Sequence, residues 1–191
     1  MQELSTIMHW LKNNISSKRY IHSINVSSTA AKLAEFYDCD VQKTSIAGLV
    51  HDCARELDME ELLNCLAAEG IAADALTLSV KELLHGPAAV HICRKVFCIE
   101  DEEILSAVRY HTTGKENMSL IEKIIYLSDF IEPSRSFDGV EKLRELAVEK
   151  LDEALLMAFN SSIQYIMSKN GLIHVDTILS RNHILKELQK L

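Results

Sequence analysis

Apolar residues recur at spacings of three and four along most of the chain, which is the pattern of helices with one buried face. Helix-breaking residues are scarce, because the 191 residues include only six Gly and two Pro. Together these features predict an all-α fold with almost no strand. The length favours a single-domain helical bundle over residues 1–191.

The apolar pattern also places the N-terminal helices. It predicts one helix from about Ser17 to Tyr37 and a second from Val41 to about Cys53. Asp58 is placed to cap the next helix, with Glu61 completing a capping box and Gly70 ending the helix near residue 69.

Further along, Gly86-Pro87 predicts a chain break that leaves His85 at a bend. Asp101 is expected to cap a helix that runs through Tyr110 and ends at His111-Thr112-Thr113-Gly114, and Ser119 to Ile131 repeats the amphipathic pattern. From Val140 to Lys169 the pattern fits one long helix or two abutting ones. The tail from Asp176 to Leu191 predicts a last helix.

Charge and composition narrow the function classes. Lys and Arg number 20 against 28 Asp and Glu, a net charge of -8, which argues against a nucleic-acid partner and makes any phosphate site local. With no basic leader and no apolar run of roughly 18 residues, the sequence predicts no membrane association and a cytoplasmic location. The five Cys residues, without a Cys-x-x-Cys pair, predict reduced and buried thiols.

An ordered series of ligand-type residues carries the chemistry: His22, His51-Asp52, His85, His111 and Asp129. Imidazole and carboxylate together suit a first-row divalent ion and leave positions open for water and substrate. Neighbouring residues diverge on a helix, so the adjacent His51-Asp52 pair predicts a helix end at that point. The residues alone leave open which metal binds and how many ions there are.

Five segments of the chain resemble the HD-domain phosphohydrolases, and among them the bacterial YqeK-type branch. The segments are Arg19-Tyr20-Ile21-His22-Ser23, His51-Asp52-Cys53-Ala54-Arg55-Glu56, Leu84-His85-Gly86-Pro87, His111-Thr112-Thr113-Gly114 and Leu127-Ser128-Asp129-Phe130-Ile131-Glu132-Pro133-Ser134-Arg135. The resemblance covers roughly residues 18–182. It departs from the branch at Ser128, where Ala is common, and at Arg55, where Lys is common.

The resemblance implies an HD-type helical bundle with a metal-site core at about residues 18–135 and C-terminal helices at about 140–191. It implies symmetrical hydrolysis of bis(5'-nucleosyl) tetraphosphate, diadenosine tetraphosphate to two ADP, by metal-bound water at an iron centre. Manganese or another divalent metal is an alternative cofactor, and a second ion stays open. A homodimer is compatible with the resemblance.

Residue roles also follow from the resemblance. The implied metal ligands are His22, His51, Asp52 and Asp129, and the implied catalytic residues are Asp52, His85 and His111. The implied substrate-binding residues are Arg19, His22, Arg55, Glu56, Leu57, Asp58, His85, His111, Arg135, His174, Val175, Asp176, Thr177, Ile178 and Leu179. In related enzymes the positions of His85 and His111 instead bind a second metal.

Two alternative functions stay open at this stage. One is the same hydrolytic chemistry on another nucleotide, such as a nucleoside mono- or triphosphate or a guanosine tetraphosphate. The other is a nucleotide-sensing module that keeps the metal and regulates a partner without hydrolysis. The complete series of ligand-type residues counts against the sensor, which has no need of an open metal site.

Overall fold

The computed structural model describes residues 4–190, and every regular element within that range is an α-helix. In chain order the helices are α1 Leu4–Asn14, α2 Ser17–Phe36, α3 Val41–Val50, α4 Met59–Ala68, α5 Ala75–Ser79, α6 Lys81–Lys95, α7 Glu102–Tyr110, α8 Leu120–Ile131, α9 Val140–Glu149, α10 Leu151–Ser168 and α11 Val175–Gln189. The all-α prediction is confirmed. Among the described helices, none combines the length and apolar composition that a membrane crossing requires.

The central helices α2, α3, α7 and α8 pack against one another and contribute many of the buried side chains. Helix α2 packs along α3 and α8, while α7 contacts α3, α6 and α8. Ile46 and Leu49 of α3 meet Ile124 and Ile125 of α8 in one core cluster, and all four are almost fully buried. Helices α9 and α11 pack on α10, which in turn contacts α8. The C-terminal helices therefore flank the central bundle.

Side-chain caps start several helices where the sequence placed them. Asp58 and Glu61 form the predicted capping box of α4, and Asp101 caps α7. Ser119 caps α8 through a second capping box with Glu122. Helix α3 stops at residue 50, short of the predicted end, and residues 51–56 form turns. The His-Asp pair thus lies at a helix end, as its adjacency required.

The predicted break at Gly86-Pro87 is wrong, because α6 runs continuously through both residues. A Cβ at Gly86 would lie 2.7 Å from the Arg109 carbonyl oxygen, so this glycine allows α6 to approach the end of α7 closely. Pro87 removes one backbone hydrogen bond, a loss offset by burial of α6 against α4 and α7. His85 therefore lies inside a helix.

The remaining differences concern ends and short elements. The stretch after Val140 is two abutting helices, divided at Lys150, where φ is -148° and ψ is 75°. Helices α1 and α5 were not predicted. All five cysteines are free thiols. Cys53 and Cys93 are buried as predicted, Cys39 and Cys65 are half-buried, and Cys98 is exposed, so the prediction of burial is wrong for Cys98.

Candidate metal centre and active-site cleft

The six ligand-type residues of the sequence series lie close together in the structure. Some lie within helices, and others lie at or just after a helix end. His22 lies on α2, His51 is the C-cap of α3, Asp52 follows in the next turn, His85 lies on α6, His111 is the C-cap of α7 and Asp129 lies on α8. All are buried except Asp129, which is half-buried. Residues more than a hundred positions apart therefore share one centre.

His22, His51 and Asp129 form the first part of this cluster. Each offers a ligand atom, and these atoms lie within 4.8 Å of one another. Nε2 of His22 lies 3.0 Å from Oδ1 of Asp129, and Nε2 of His51 lies 3.9 Å from the same oxygen. Spacings of this size allow one ion to be held by all three side chains.

Asp52 lies between two pairs of imidazoles. Its Oδ2 is 3.6 Å from Nε2 of His22 and 3.4 Å from Nε2 of His51. Its Oδ1 is 3.0 Å from Nε2 of His85 and 3.6 Å from Nε2 of His111. The carboxylate is placed to share a cation with the first pair while it contacts the second.

Hydrogen bonds outside the cluster fix the orientation of all four imidazoles. The Nδ1 partners are Glu132 Oε1 for His22 at 3.1 Å, the Gly48 carbonyl for His51 at 2.7 Å, the Glu82 carbonyl for His85 at 2.6 Å and the Val108 carbonyl for His111 at 2.7 Å. Because these oxygens are acceptors, Nδ1 carries the hydrogen on His22, His51 and His111, and their Nε2 lone pairs point inward. Nδ1 of His85 has two neighbours, the Glu82 carbonyl and the Arg55 guanidinium. Ligating histidines are commonly held in this way.

The cluster fits a divalent cation. Nε2 of His22 and Nε2 of His51 are buried and form no well-aligned hydrogen bond with the described residues, although Nε2 of His22 lies 3.0 Å from Oδ1 of Asp129. Nε2 of His85 and Nε2 of His111 lie 2.9 Å apart, so two lone pairs face each other unless a proton or a cation lies between them. Buried polar atoms normally have partners, and a metal ion would supply one here.

The pKa values of Asp52 and Asp129 show that both side chains favour the ionised form, which a cation would stabilise further. Burial raises the pKa of Asp52, but the neighbouring His51, His111 and His85 outweigh it and hold that pKa well below its usual range. Burial likewise opposes ionisation of Asp129, yet His22, His51 and Arg135 lower its pKa. Both carboxylates are therefore ionised and face inward.

Arginines approach the two carboxylates from the open side. Nη1 of Arg19 lies 2.5 Å from Oδ2 of Asp52, and Nη2 of Arg135 lies 2.5 Å from Oδ1 of Asp129. Arg55 places Nη1 2.9 Å from Nδ1 of His85. The three predicted phosphate-binding arginines thus surround the centre.

A cleft with a volume of about 630 Å³ opens onto this centre. Its lining includes the predicted residues Arg19, Asp52, Arg55, His85, His111, Asp129 and Arg135. Sequence reasoning missed the aromatic residues Tyr126, Phe130, Phe137 and Tyr165, which also line the cleft. It also left the use of Glu132 undefined, although this buried carboxylate contacts His22. An apolar side chain in a helical pattern gives no signal that it faces a cleft.

The other predicted substrate-binding residues lie outside this lining. Glu56 accepts hydrogen bonds from the backbone and hydroxyl of Ser16, Leu57 is half-buried, and Asp58 caps α4. His174 caps α11 and, with Asp176, lines a second cavity that shares Thr112 with the cleft. Val175 and Leu179 are exposed, Thr177 is buried and Ile178 is half-buried. Their contact with substrate stays a prediction.

Comparison with known proteins places the cluster inside a defined domain. The model of the HD domain matches residues 19–134, which contain all six ligand-type residues. The chain is 40% identical over 177 residues to the symmetrical bis(5'-nucleosyl)-tetraphosphatase of Halalkalibacterium halodurans, covering 93% of this chain and 94% of that protein. It is 37% identical over 175 residues to the protein of the same name from Bacillus subtilis, covering 92% and 94%.

A solved structure shares the fold over nearly the whole chain. It is the 1.50 Å crystal structure of a predicted HD superfamily hydrolase involved in NAD metabolism from Clostridium acetobutylicum, with a TM-score of 0.95 and 44% identity. The match covers 98% of this chain and 99% of that one. The arrangement of helices described above is therefore one that a related chain adopts in a crystal.

Proposed function

This chain belongs to the HD-domain family, and we propose that it is a metal-dependent hydrolase that cleaves dinucleoside tetraphosphates symmetrically, diadenosine tetraphosphate giving two ADP. The observation that carries the proposal is the pair of buried Nε2 atoms, on His22 and His51, which converge on Asp129 and form no well-aligned hydrogen bond with the described residues. That centre lies at the end of a cleft surrounded by arginines.

His22, His51, Asp52 and Asp129 are the residues that would hold the metal, with iron the proposed ion and manganese the alternative. When bound, a divalent cation neutralises phosphate charge and acidifies water. Mixed nitrogen and oxygen ligands suit such a borderline ion better than calcium or magnesium. A second cation near His85 and His111 stays open in this proposal, and the 2.9 Å between their Nε2 atoms is the observation that would support it.

Arg19 and Arg135 bind phosphate in this proposal. Both guanidinium groups already lie against ionised carboxylates, so their positions are fixed before substrate arrives. A planar guanidinium binds two phosphate oxygens at once and neutralises charge that develops during the reaction. Arg55, beside His85, extends the positive surface.

His85 and His111 orient the reacting phosphate in this proposal. Burial lowers the pKa of His85 to about 4, so its imidazole is neutral at neutral pH. The low pKa of Asp52 makes that carboxylate a poor proton acceptor, and its proposed role is to hold the cation and position the His85 ring.

We place the activity in the cytoplasm, where nucleotides are the expected partners.

The experiment that tests the proposal is product identification. Purified protein loaded with iron or manganese is incubated with diadenosine tetraphosphate, and the products are separated by ion-exchange chromatography. ADP is expected as the sole nucleotide product. AMP together with ATP, or the absence of turnover with every divalent metal, would refute the proposal.

The neighbour from Clostridium acetobutylicum supports a second candidate, since its description names NAD metabolism. NAD also joins two nucleosides through phosphates, so it belongs in the same assay. A substrate panel with NAD, nucleoside triphosphates and guanosine tetraphosphate decides between the two. A higher kcat/KM on one of these than on diadenosine tetraphosphate would favour the second candidate.

A further inference from the structure

One wall of the cleft has no role in the chemistry described above. It consists of the aromatic residues Tyr126, Phe130, Phe137 and Tyr165 with the hydroxyl residues Ser161 and Ser162. We call these six residues the aromatic wall. They come from α8, from the loop after it and from α10. Metal coordination and the arginine contacts to phosphate do not require them.

Packing in the core explains only part of the aromatic wall. Tyr126 is buried and stacks on Phe159 with centroids 4.3 Å apart, and Phe130 lies parallel to Tyr126 at 6.4 Å. Phe137 meets Phe130 edge-on at 5.2 Å but keeps 37% of its surface exposed. Tyr165 is 65% exposed. Phe137 and Tyr165 therefore line the cleft and keep solvent-accessible surface.

The chain connects this wall directly to the phosphate-binding end. Phe130 follows Asp129, and Phe137 follows Arg135 by two residues. Lys169 also lies over the Tyr165 ring, with Nζ 5.8 Å from the centroid. The cleft is therefore lined by both cationic and aromatic side chains, and its volume of about 630 Å³ lies in the range of about 300–1,000 Å³ typical of small-molecule sites.

We propose that the aromatic wall is a nucleobase subsite, in which a purine of one nucleoside stacks on Phe137 and Tyr165 while its phosphates reach Arg135 and the metal centre. Every base offers a π-face, and purines stack well on exposed rings. Ser161 and Ser162 add hydroxyl groups to the same wall, and Ser162 hydrogen-bonds Tyr126 there. The inference rests on the proposed function for the ligand being a nucleotide.

The test compares a ligand that has a base with one that has none. Binding of ADP and of inorganic tripolyphosphate to the manganese-loaded full chain is measured by calorimetry, for the wild type, Phe137→Ala and Tyr165→Ala. We expect the ADP dissociation constant to rise about fivefold or more in each variant. Tripolyphosphate affinity should stay within about twofold, because its charge contacts are unchanged.

Matched variants separate stacking from general damage. Phe36→Ala removes a ring that is 63% exposed on α2, outside the cleft lining, and should bind both ligands like the wild type. Tyr165→Phe keeps the ring and should restore ADP affinity. Unchanged ADP affinity in both alanine variants would overturn the subsite, as would an equal loss for tripolyphosphate.

The binding measurement does not require turnover, so the nucleobase subsite and the proposed hydrolytic function can be refuted independently. A wild type that binds ADP, loses that affinity in the alanine variants and hydrolyses no dinucleotide would refute the proposed function and leave the subsite standing. ADP as the sole product together with unchanged ADP affinity in the variants would do the reverse.

Discussion

Glu132→Gln is the substitution that most sharply tests how the protein positions His22. Glu132 is fully buried and accepts four hydrogen bonds, from Nδ1 of His22, Nδ2 of Asn25, and the backbone N–H and hydroxyl of Ser134. The carboxylate thus holds a metal ligand on one side and the start of the Arg135 loop on the other. Gln keeps the size and removes one acceptor oxygen and the charge.

The expected magnitude follows from this count. Oε1 receives His22 and the Ser134 hydroxyl, while Oε2 receives Asn25 and the Ser134 amide. An NH₂ group in place of Oε2 would face two N–H donors, and one in place of Oε1 would face the N–H of His22, while the Ser134 hydroxyl can rotate to accept. A buried donor without an acceptor costs about 1–3 kcal/mol, so we expect a stability loss of about 2 kcal/mol. Metal affinity should fall about 10- to 100-fold, as for other residues that support a ligating histidine.

Two assays measure these effects independently. Thermal unfolding in the presence of a chelator should show a melting temperature lower by about 4–8 °C for a loss of about 2 kcal/mol. Manganese titration by calorimetry gives the metal affinity. Glu61→Gln is the control, because Glu61 belongs to the capping box of α4 and does not line the cleft. It should lose some stability and no metal affinity, and wild-type metal affinity in Glu132→Gln would refute the reasoning.

Three further substitutions probe the site. Asp52→Ala should abolish both metal retention and turnover, measured by elemental analysis and product release, since it removes the carboxylate between the two imidazole pairs; full metal content and activity would contradict the ligand assignment. Arg135→Ala should keep the metal and weaken ADP binding about tenfold or more, because a charge-assisted contact worth about 1.5–3 kcal/mol is lost; unchanged ADP affinity would remove Arg135 from the phosphate site. Gly86→Ala should cost about 1–3 kcal/mol and lower turnover, since its Cβ would lie 2.7 Å from the Arg109 carbonyl oxygen and force α6 away from α7. Gly70→Ala is the control, strained by a φ of +62° but with open space around it, and an equal loss of turnover there would contradict the packing argument.

Helix positions were largely predictable from the sequence because caps and periodic apolar residues act locally. Asp58 with Glu61 and Ser119 with Glu122 mark helix starts through side-chain hydrogen bonds that span three residues. The prediction of a break at Gly86-Pro87 was wrong because a tertiary contact, and not a local turn, requires the glycine. The neighbouring α7 backbone sets what fits at Gly86, and no local pattern records that contact.

The residues of the candidate site also fall into two groups, those with a local sequence signal and those that only tertiary contacts bring to the site. His51-Asp52 carried its own signal, because adjacent ligands require a helix end, and the structure places them in the turn after α3. Glu132 gave no such signal, since its contacts with His22 and Asn25 join residues 110 and 107 positions apart. Phe137 and Tyr165 resemble ordinary apolar positions of amphipathic segments. Only the tertiary fold brings the loop after α8 and helix α10 together at one cleft.

The most direct test of the account is hydrolysis of diadenosine tetraphosphate in water enriched in the heavy oxygen isotope, followed by mass spectrometry of the products. Attack of water on one β-phosphorus breaks its bond to the central bridging oxygen, which leaves with the other ADP. The account predicts the heavy isotope in the β-phosphate of one ADP from each substrate and none in its twin. Label in AMP or ATP, or unlabelled ADP alone, would contradict it.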